Sequence, residues 1–429
     1  MTKRMHPETI VLHGGYRSDP ATGAVAVPIY QTTSYQFRHT QHAENLFALR
    51  ELGNIYTRIL NPTCDALEKR LAALEGGAAA LACASGQAAS TFCVLNLCRA
   101  GDNFVSSTDL YGGTWNLFVN TLSTLGVEVR FVDPADPEAF ARATDARTRC
   151  WYAETLPNPK LHVFPIREVA ESGRRLGVPL IVDNTAAPII CRPLDHGAAV
   201  VMYSTTKYIG GHGTSIGGLV VDGGNFDWQA HAERFPTLND PDPSYHGAVW
   251  VDAAKPLGPI AYILRMRVVV LRDLGAAMSP FNAFLFLQGL ETLPLRMRAH
   301  CENAGKVAAF LTTHRKVEKV IFPGLQSGEV RRRADAYLAG GYGALLGFEL
   351  KDGREGGRRF IDALKLVYHV ANIGDARTLA IHPATTTHSQ LSAEDRLATG
   401  VSEGYVRLSI GIEHSDDILE DLLQALDAA

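Results

Sequence analysis

The run Ile166-Arg167-Glu168-Val169-Ala170-Glu171-Ser172-Gly173-Arg174-Arg175-Leu176-Gly177-Val178-Pro179-Leu180-Ile181-Val182-Asp183 decides how this chain folds. Ile166, Val169, Ala170, Gly173 and Leu176 keep helical spacing, Gly177 stops the helix, and Val178 to Val182 read as a buried strand that ends in Asp183. Further strands are expected outward from it at Asn103 to Ser107, Val127 to Val132, Arg149 to Ala153 and Ala198 to Met202, separated by helical stretches or linkers. Helix and strand in alternation predict an α/β protein with a mainly parallel sheet and helices on both faces. Ligands of such sheets lie beyond the carboxyl ends of the strands. Tyr111, Glu154, Asp183 and Lys207 all fall there.

Lys207 stands in Tyr203-Ser204-Thr205-Thr206-Lys207-Tyr208-Ile209-Gly210-Gly211-His212-Gly213, just past an apolar segment. A lysine at the end of a buried strand needs a reason. An aldehyde-bearing pyridine cofactor requires an amine for a Schiff base, a carboxylate to keep its ring nitrogen protonated, and donors for its phosphate. Lys207, Asp183 and the hydroxyls of Ser204 and Thr206 supply all three. Asp183 capping the loop after it is the plainer alternative. Ala84-Ser85-Gly86-Gln87-Ala88-Ala89 opens a helix whose free N–H groups make a phosphate cup, although an ordinary N-cap reads the same way. Tyr111, in Asp109-Leu110-Tyr111-Gly112-Gly113-Thr114, can stack on a flat ring or simply pack in its turn. Arg407, in Tyr405-Val406-Arg407-Leu408-Ser409-Ile410-Gly411, suits bidentate capture of a substrate carboxylate, with a surface edge arginine as the other reading. His382 and His388 have no third ligand at a zinc-like spacing and His212 reads as a loop residue, so no metal site is expected.

At 429 residues the chain predicts two packed units. Residues 1–60, rich in turn formers and hydroxyls, read as an extended N-terminal arm that contacts a neighbouring subunit. Residues 61–295 read as the cofactor-binding domain and 296–429 as a smaller α/β C-terminal domain, ending in a helix with Ile418, Leu419, Leu422 and Leu426 on one face. An irregular excursion is expected at Asp227 to Asp252, then a long helical region from about Ile260 through Leu293. Arg331-Arg332-Arg333 reads as a solvated helix face. A net charge of −4 carries no footprint for nucleic acid or an anionic membrane, which favours a small-molecule partner. The polar N-terminus, the lack of any window of about 18 apolar residues and the seven cysteines without CxxC spacing predict a soluble, cytoplasmic protein.

Longer runs carry a specific likeness. Pro28-Ile29-Tyr30-Gln31-Thr32-Thr33-Ser34-Tyr35, Asn54-Ile55-Tyr56-Thr57-Arg58-Ile59-Leu60-Asn61-Pro62-Thr63, Ala84-Ser85-Gly86-Gln87, Val182-Asp183-Asn184-Thr185, Thr206-Lys207-Tyr208-Ile209-Gly210-Gly211-His212-Gly213, Ser279-Pro280-Phe281-Asn282-Ala283-Phe284 and Ile381-His382-Pro383-Ala384 are the motifs in question. Over nearly its whole length the chain resembles the Cys/Met-metabolism family of pyridoxal-phosphate enzymes and, within it, the O-acetylhomoserine sulfhydrylases. The resemblance implies the type I PLP-dependent transferase fold, with a sheet of the seven-stranded type, pyridoxal 5'-phosphate as cofactor, and a homotetramer built from dimers that share active sites. It implies Lys207 as the Schiff-base lysine, Asp183 at the ring nitrogen, and Tyr111 as a stacking ring that aids proton transfer. Ser85, Gly86, Gln87, Ser204 and Thr206 would hold the phosphate, joined by Tyr56 and Arg58 reaching in from the neighbouring subunit. Asn158 would lie close to the ring hydroxyl, Arg407 would bind the substrate α-carboxylate, and Asn372 would lie near it. The implied activity is γ-replacement on O-acetyl-L-homoserine by sulfide or methanethiol, giving homocysteine or methionine in methionine biosynthesis. The segment Ala186-Ala187-Pro188 departs from the pattern, being shorter and smaller than the sulfhydrylases carry there. It keeps open a lyase that runs γ-elimination on methionine or another γ-substituted amino acid such as canavanine.

Overall fold

The protein is described by a computed structural model that covers residues 5–389 and 392–429. Its larger sheet is built from β1 (Ala79–Cys83), β2 (Asn103–Ser107), β3 (Glu128–Val132), β4 (Thr148–Glu154), β5 (Leu180–Asp183), β6 (Val200–Tyr203) and β7 (Gly218–Asp222), in the order β1-β7-β6-β5-β4-β2-β3. Strands β2 to β6 pair in parallel, and β7 runs against both of its neighbours, β1 and β6. The mainly parallel arrangement is the one that the helix and strand alternation predicts.

Both faces of this sheet are apolar, which is why its strands read as unbroken hydrophobic runs. Trp151, Val182 and Val201 pack on one side with Ile166 and Val169, whereas Tyr152, Ile181 and Met202 pack on the other with Phe92, Phe118 and Tyr262. The helix Ile166–Leu176 closes at Gly177, whose φ of 64° lies in the left-handed region that glycine enters at no steric cost. Within that helix, Gly173 permits close approach, since a Cβ there would lie 3.0 Å from the Trp151 ring. Strand β1 is an edge of the sheet. On its open side the Ala82 N–H donates to Glu68 Oε1 at 2.8 Å, and Arg267, paired with Glu68, donates to the Ala80 carbonyl at 3.1 Å.

A second sheet follows the helix Leu293–Thr313 and consists of β8 (Val317–Ile321), β9 (Leu345–Leu350), β10 (Tyr368–His369), β11 (Leu379–Ile381) and β12 (Tyr405–Ser409), ordered β10-β11-β12-β9-β8. Strand β12 lies between β11 and β9 and is buried along its whole length. Arg407 is therefore an interior residue, not one on a surface edge.

Three local expectations change. The first 60 residues contain two helices, Pro7–His13 and Thr40–Phe47, where an extended arm was expected. The helical region expected from Ile260 through Leu293 breaks at Gly275, which has φ 80°. There the chain turns so that the Ala276 carbonyl accepts the Ala84 N–H at 2.8 Å, and a new helix begins at Pro280. The Arg331–Arg333 run is helical but only partly solvated, since Arg333 reaches across to Glu168 at 3.1 Å and is largely covered. Among the described residues, no helix is long and apolar enough to cross a membrane.

Candidate active site

The carboxyl ends of β1, β2, β4, β5 and β6 lead into one cavity of about 290 Å³. On one side the helix Gly86–Leu95 points its first turn inward, capped by Ser85 Oγ, which accepts the Ala88 N–H at 3.1 Å. Gly86 faces Ser204 so closely that a Cβ at position 86 would lie 2.7 Å from the Ser204 Cβ. Thr206 Oγ1 holds the opposite loop by accepting the Gly217 N–H at 3.0 Å. Gln87 Nε2 donates to the Gly113 carbonyl at 3.0 Å and so fixes the turn that carries Tyr111. The Tyr111 ring lies against Gly113, where any Cβ would meet it at 2.4 Å, and is 54% exposed at the rim.

Glu154 and Asp183 face each other in register at the ends of β4 and β5. Glu154 Oε1 accepts the Tyr111 N–H at 2.6 Å. Asp183 Oδ1 accepts the Thr185 N–H at 2.9 Å, and Thr185 Oγ1 accepts the Ser204 N–H at 2.8 Å, so carboxylate and cup are locked to one another. Arg407 comes from β12 of the smaller sheet, and Asn372 from the loop between β10 and β11. Lys207 Nζ donates to Asn372 Oδ1 at 2.5 Å, while the Asn372 carbonyl accepts from Arg407 Nη2 at 3.0 Å.

The charges are under tension. Burial raises the Asp183 carboxyl above its ordinary range, with the two bonds from Thr185 pulling the other way. Glu154 is raised further, first by burial and then by the negative charge of Asp183. Burial and then the neighbouring Arg407 guanidinium lower the Lys207 amine, which eases its passage to the neutral, nucleophilic form. Burial also lowers Arg407.

Every site residue named from the sequence lines this cavity except Tyr56 and Arg58. Those two lie away from it in their own chain: Arg58 stacks over the Tyr56 ring at 5.4 Å and donates to the Arg272 carbonyl. Among the wall residues that sequence reasoning missed are Thr185, Leu156, Ile216 and Ile373. A hydroxyl two residues after a strand-end aspartate is a local turn signal and could have exposed Thr185. The apolar members come from loops without periodicity.

The residues present fit pyridoxal phosphate. Asp183 carries no cationic partner among the described residues, and a ring N–H is the donor its raised carboxyl lacks. Asn158 Oδ1 is buried at the cavity wall without a hydrogen-bond partner among the described residues. Gly86 lets Ser204 come against the helix start, closer than any larger residue would allow, which sets the Ser204 hydroxyl beside the first turn where free N–H groups favour an anion.

Comparison with known proteins points the same way. The pattern of the family described as Cys/Met metabolism PLP-dependent enzyme matches residues 8–427. The chain is 53% identical to O-acetyl-L-homoserine sulfhydrylase of Leptospira meyeri, across 99% of this chain and 98% of that one. It is 48% identical to homocysteine synthase of Schizosaccharomyces pombe, across 99% of both. A Campylobacter jejuni crystal structure described as an O-acetylhomoserine (thiol)-lyase, with N'-pyridoxyl-lysine-5'-monophosphate in its chain, superposes with a TM-score of 0.93 at 39% identity and covers 99% of this chain and 100% of its own.

Proposed function

Because this chain belongs to the Cys/Met metabolism PLP-dependent enzyme family, we propose that it replaces the acetoxy group of O-acetyl-L-homoserine with sulfide, giving homocysteine, and with methanethiol, giving methionine. The observation that carries this reading is the link from Lys207 Nζ through Asn372 to Arg407, which faces Asp183 in one cavity. The names of its relatives give the reading its substrate.

Bound in this site, pyridoxal phosphate supplies an aldehyde that condenses with amines and a protonated ring that takes up electrons released at the substrate. The protein does the rest. Lys207 would hold the group and, when its amine is free, would take the Cα proton and later return it, a task suited to an amine whose burial favours the neutral form. Arg407 grips the α-carboxylate with its fork, and Asn372 ties that grip to the lysine. Asp183 would keep a proton on the ring nitrogen, and Asn158 would serve the ring hydroxyl. Ser85, Gly86, Gln87, Ser204 and Thr206 take the phosphate at the helix start, where free N–H groups and the dipole favour an anion. Tyr111, at the rim, would cover the ring and assist proton transfer. At Cγ the C–O bond breaks with acetate leaving, and a C–S bond to hydrosulfide forms.

We read the active unit as a dimer, and the assembly as a tetramer of such pairs. Tyr56 and Arg58, outside the cavity of their own chain, would complete the phosphate site of the neighbour. The same reading divides the chain into an arm at 1–60, a cofactor-binding domain at 61–295 and a C-terminal domain at 296–429, and assigns it to the cytoplasm.

Product analysis of the cofactor-loaded protein tests the assignment. O-acetylhomoserine with sulfide is expected to give homocysteine rapidly and only when sulfide is present. Little reaction there, with 2-oxobutyrate from methionine alone or homoserine from canavanine alone, would replace it with a γ-lyase.

A further inference from the structure

Arg296 lies in the first turn of the helix Leu293–Thr313 and is only 5% exposed. Removing a guanidinium from water is costly unless its donors are satisfied. Among the described residues they meet no carboxylate. Nη1 donates to the Tyr208 carbonyl at 2.7 Å, Nη2 to the carbonyls of Ile209 at 3.2 Å and Gly289 at 2.7 Å, and Nε to Thr292 Oγ1 at 3.2 Å.

Tyr208 and Ile209 are the two residues that follow Lys207. The rest of that turn bonds within itself: the Ser204 carbonyl accepts the Lys207 N–H at 3.2 Å, Thr205 accepts Gly210 at 2.9 Å, and Lys207 accepts Gly211 at 2.8 Å. Arg296 thus caps, from another element, two carbonyls that the turn leaves open. Gly211 makes room for it, since φ there is 70° and a Cβ would lie 2.2 Å from Nη1. Through Gly289 the same guanidinium holds the end of the helix Pro280–Glu291. The lysine turn is thereby fastened to the junction that leads toward the smaller sheet, the source of Arg407.

We propose that Arg296 is a positioning residue for Lys207, holding the lysine backbone where its amine reaches Asn372. The inference rests on Lys207 being the lysine that bears the cofactor. A planar fork is needed to span three carbonyls, so lysine cannot replace it.

Arg296→Lys and Arg296→Met test this in the holoenzyme. Both are expected to lower kcat on the order of 100-fold, the effect of displacing a reacting group by about 1 Å, with KM for O-acetylhomoserine unmoved. The pH midpoint of the visible absorbance of bound pyridoxal phosphate should shift, and borohydride reduction should still label Lys207 by peptide mass. Variants that melt earlier yet keep kcat and the midpoint would overturn the proposal, because that is a structural role alone. Should neither variant fold, Thr292→Val removes the acceptor of Nε together with that hydroxyl's own bond to the Gly289 carbonyl at 3.3 Å, and leaves the three carbonyl contacts of the guanidinium in place; a smaller loss of kcat with the same direction of midpoint shift supports the proposal, and no change in either overturns it. Lys207→Ala separates the two layers: a borohydride label on some other residue would mean that Lys207 was misassigned, and the Arg296 proposal would fall with it. A label lost in that control, beside unaltered Arg296 variants, would remove Arg296 only.

Discussion

Asp183 and Asp222 end two strands of the same sheet, and burial raises both carboxyls, that of Asp222 to about 7. Because β7 runs against β6, the two residues lie at opposite ends of the strands. Asp183 opens on a cavity that also holds a lysine and an arginine. Asp222 is sealed beside β1, with Oδ1 taking the Gly224 N–H at 2.9 Å, and no lysine or arginine pairs with it among the described residues. A perturbed carboxyl is therefore no sign of chemistry by itself; space and complementary groups around it are what separate the two.

The sharpest way to break that contrast is to neutralise each acid in turn. Asp183→Asn is expected to lower kcat/KM on the order of 10³-fold, as when a preorganised charge partner is lost, while Asp222→Asn leaves turnover intact. Steady-state assays showing equal losses would erase the distinction. Arg407→Met should raise KM for the amino-acid substrate by ~100-fold, the worth of about 3 kcal/mol in charge-assisted hydrogen bonds. The same change removes a like charge from Lys207, so the amine should titrate at higher pH. The pH profile of Lys207 acylation in cofactor-free protein measures this, and an unmoved profile would leave burial as the only cause.

The smallest effect concerns stability. Folded Asp222 keeps its proton up to about pH 7, whereas in the unfolded chain it lets go near 3.8. Between those values the folded state binds more protons, so this residue makes stability fall as pH rises, with no further change above the folded value. Melting temperatures of the parent and Asp222→Asn across that window should show the flatter slope in the variant. Parallel slopes would mean that Asp222 is ionised in the folded protein.

Much of this was legible beforehand because it depends on local pattern. The Gly177 stop, the apolar β5 and β6, and the capped start at Ser85 and Gly86 are short-range signals, and the structure has them within a few residues of where they were read. Lys207, Asp183 and Arg407 were recognisable because a charged residue beside an apolar strand is unusual. What stayed hidden depends on distance along the chain. Asn372 joins Lys207 across 165 positions, and its role rested on resemblance alone. Arg296 looks like any arginine on an amphipathic helix until the lysine turn 88 positions away is set against it. The break at Gly275 is a local glycine stop, but the contact made just beyond it, between Ala276 and Ala84, is likewise non-local.

The edge of the sheet at β1 has a further consequence. A bare edge strand is a template on which another molecule can add its own strand, and so a seed for aggregation. Glu68 and Arg267 occupy the N–H of Ala82 and the carbonyl of Ala80 that an incoming strand would need. Their ion pair would have to open, leaving buried charges uncompensated, before a foreign strand could dock. A pair that looks like ordinary packing between a helix and a strand would thus guard against polymerisation, letting the strand that leads into the helix start at Gly86 end a sheet without inviting another to continue it.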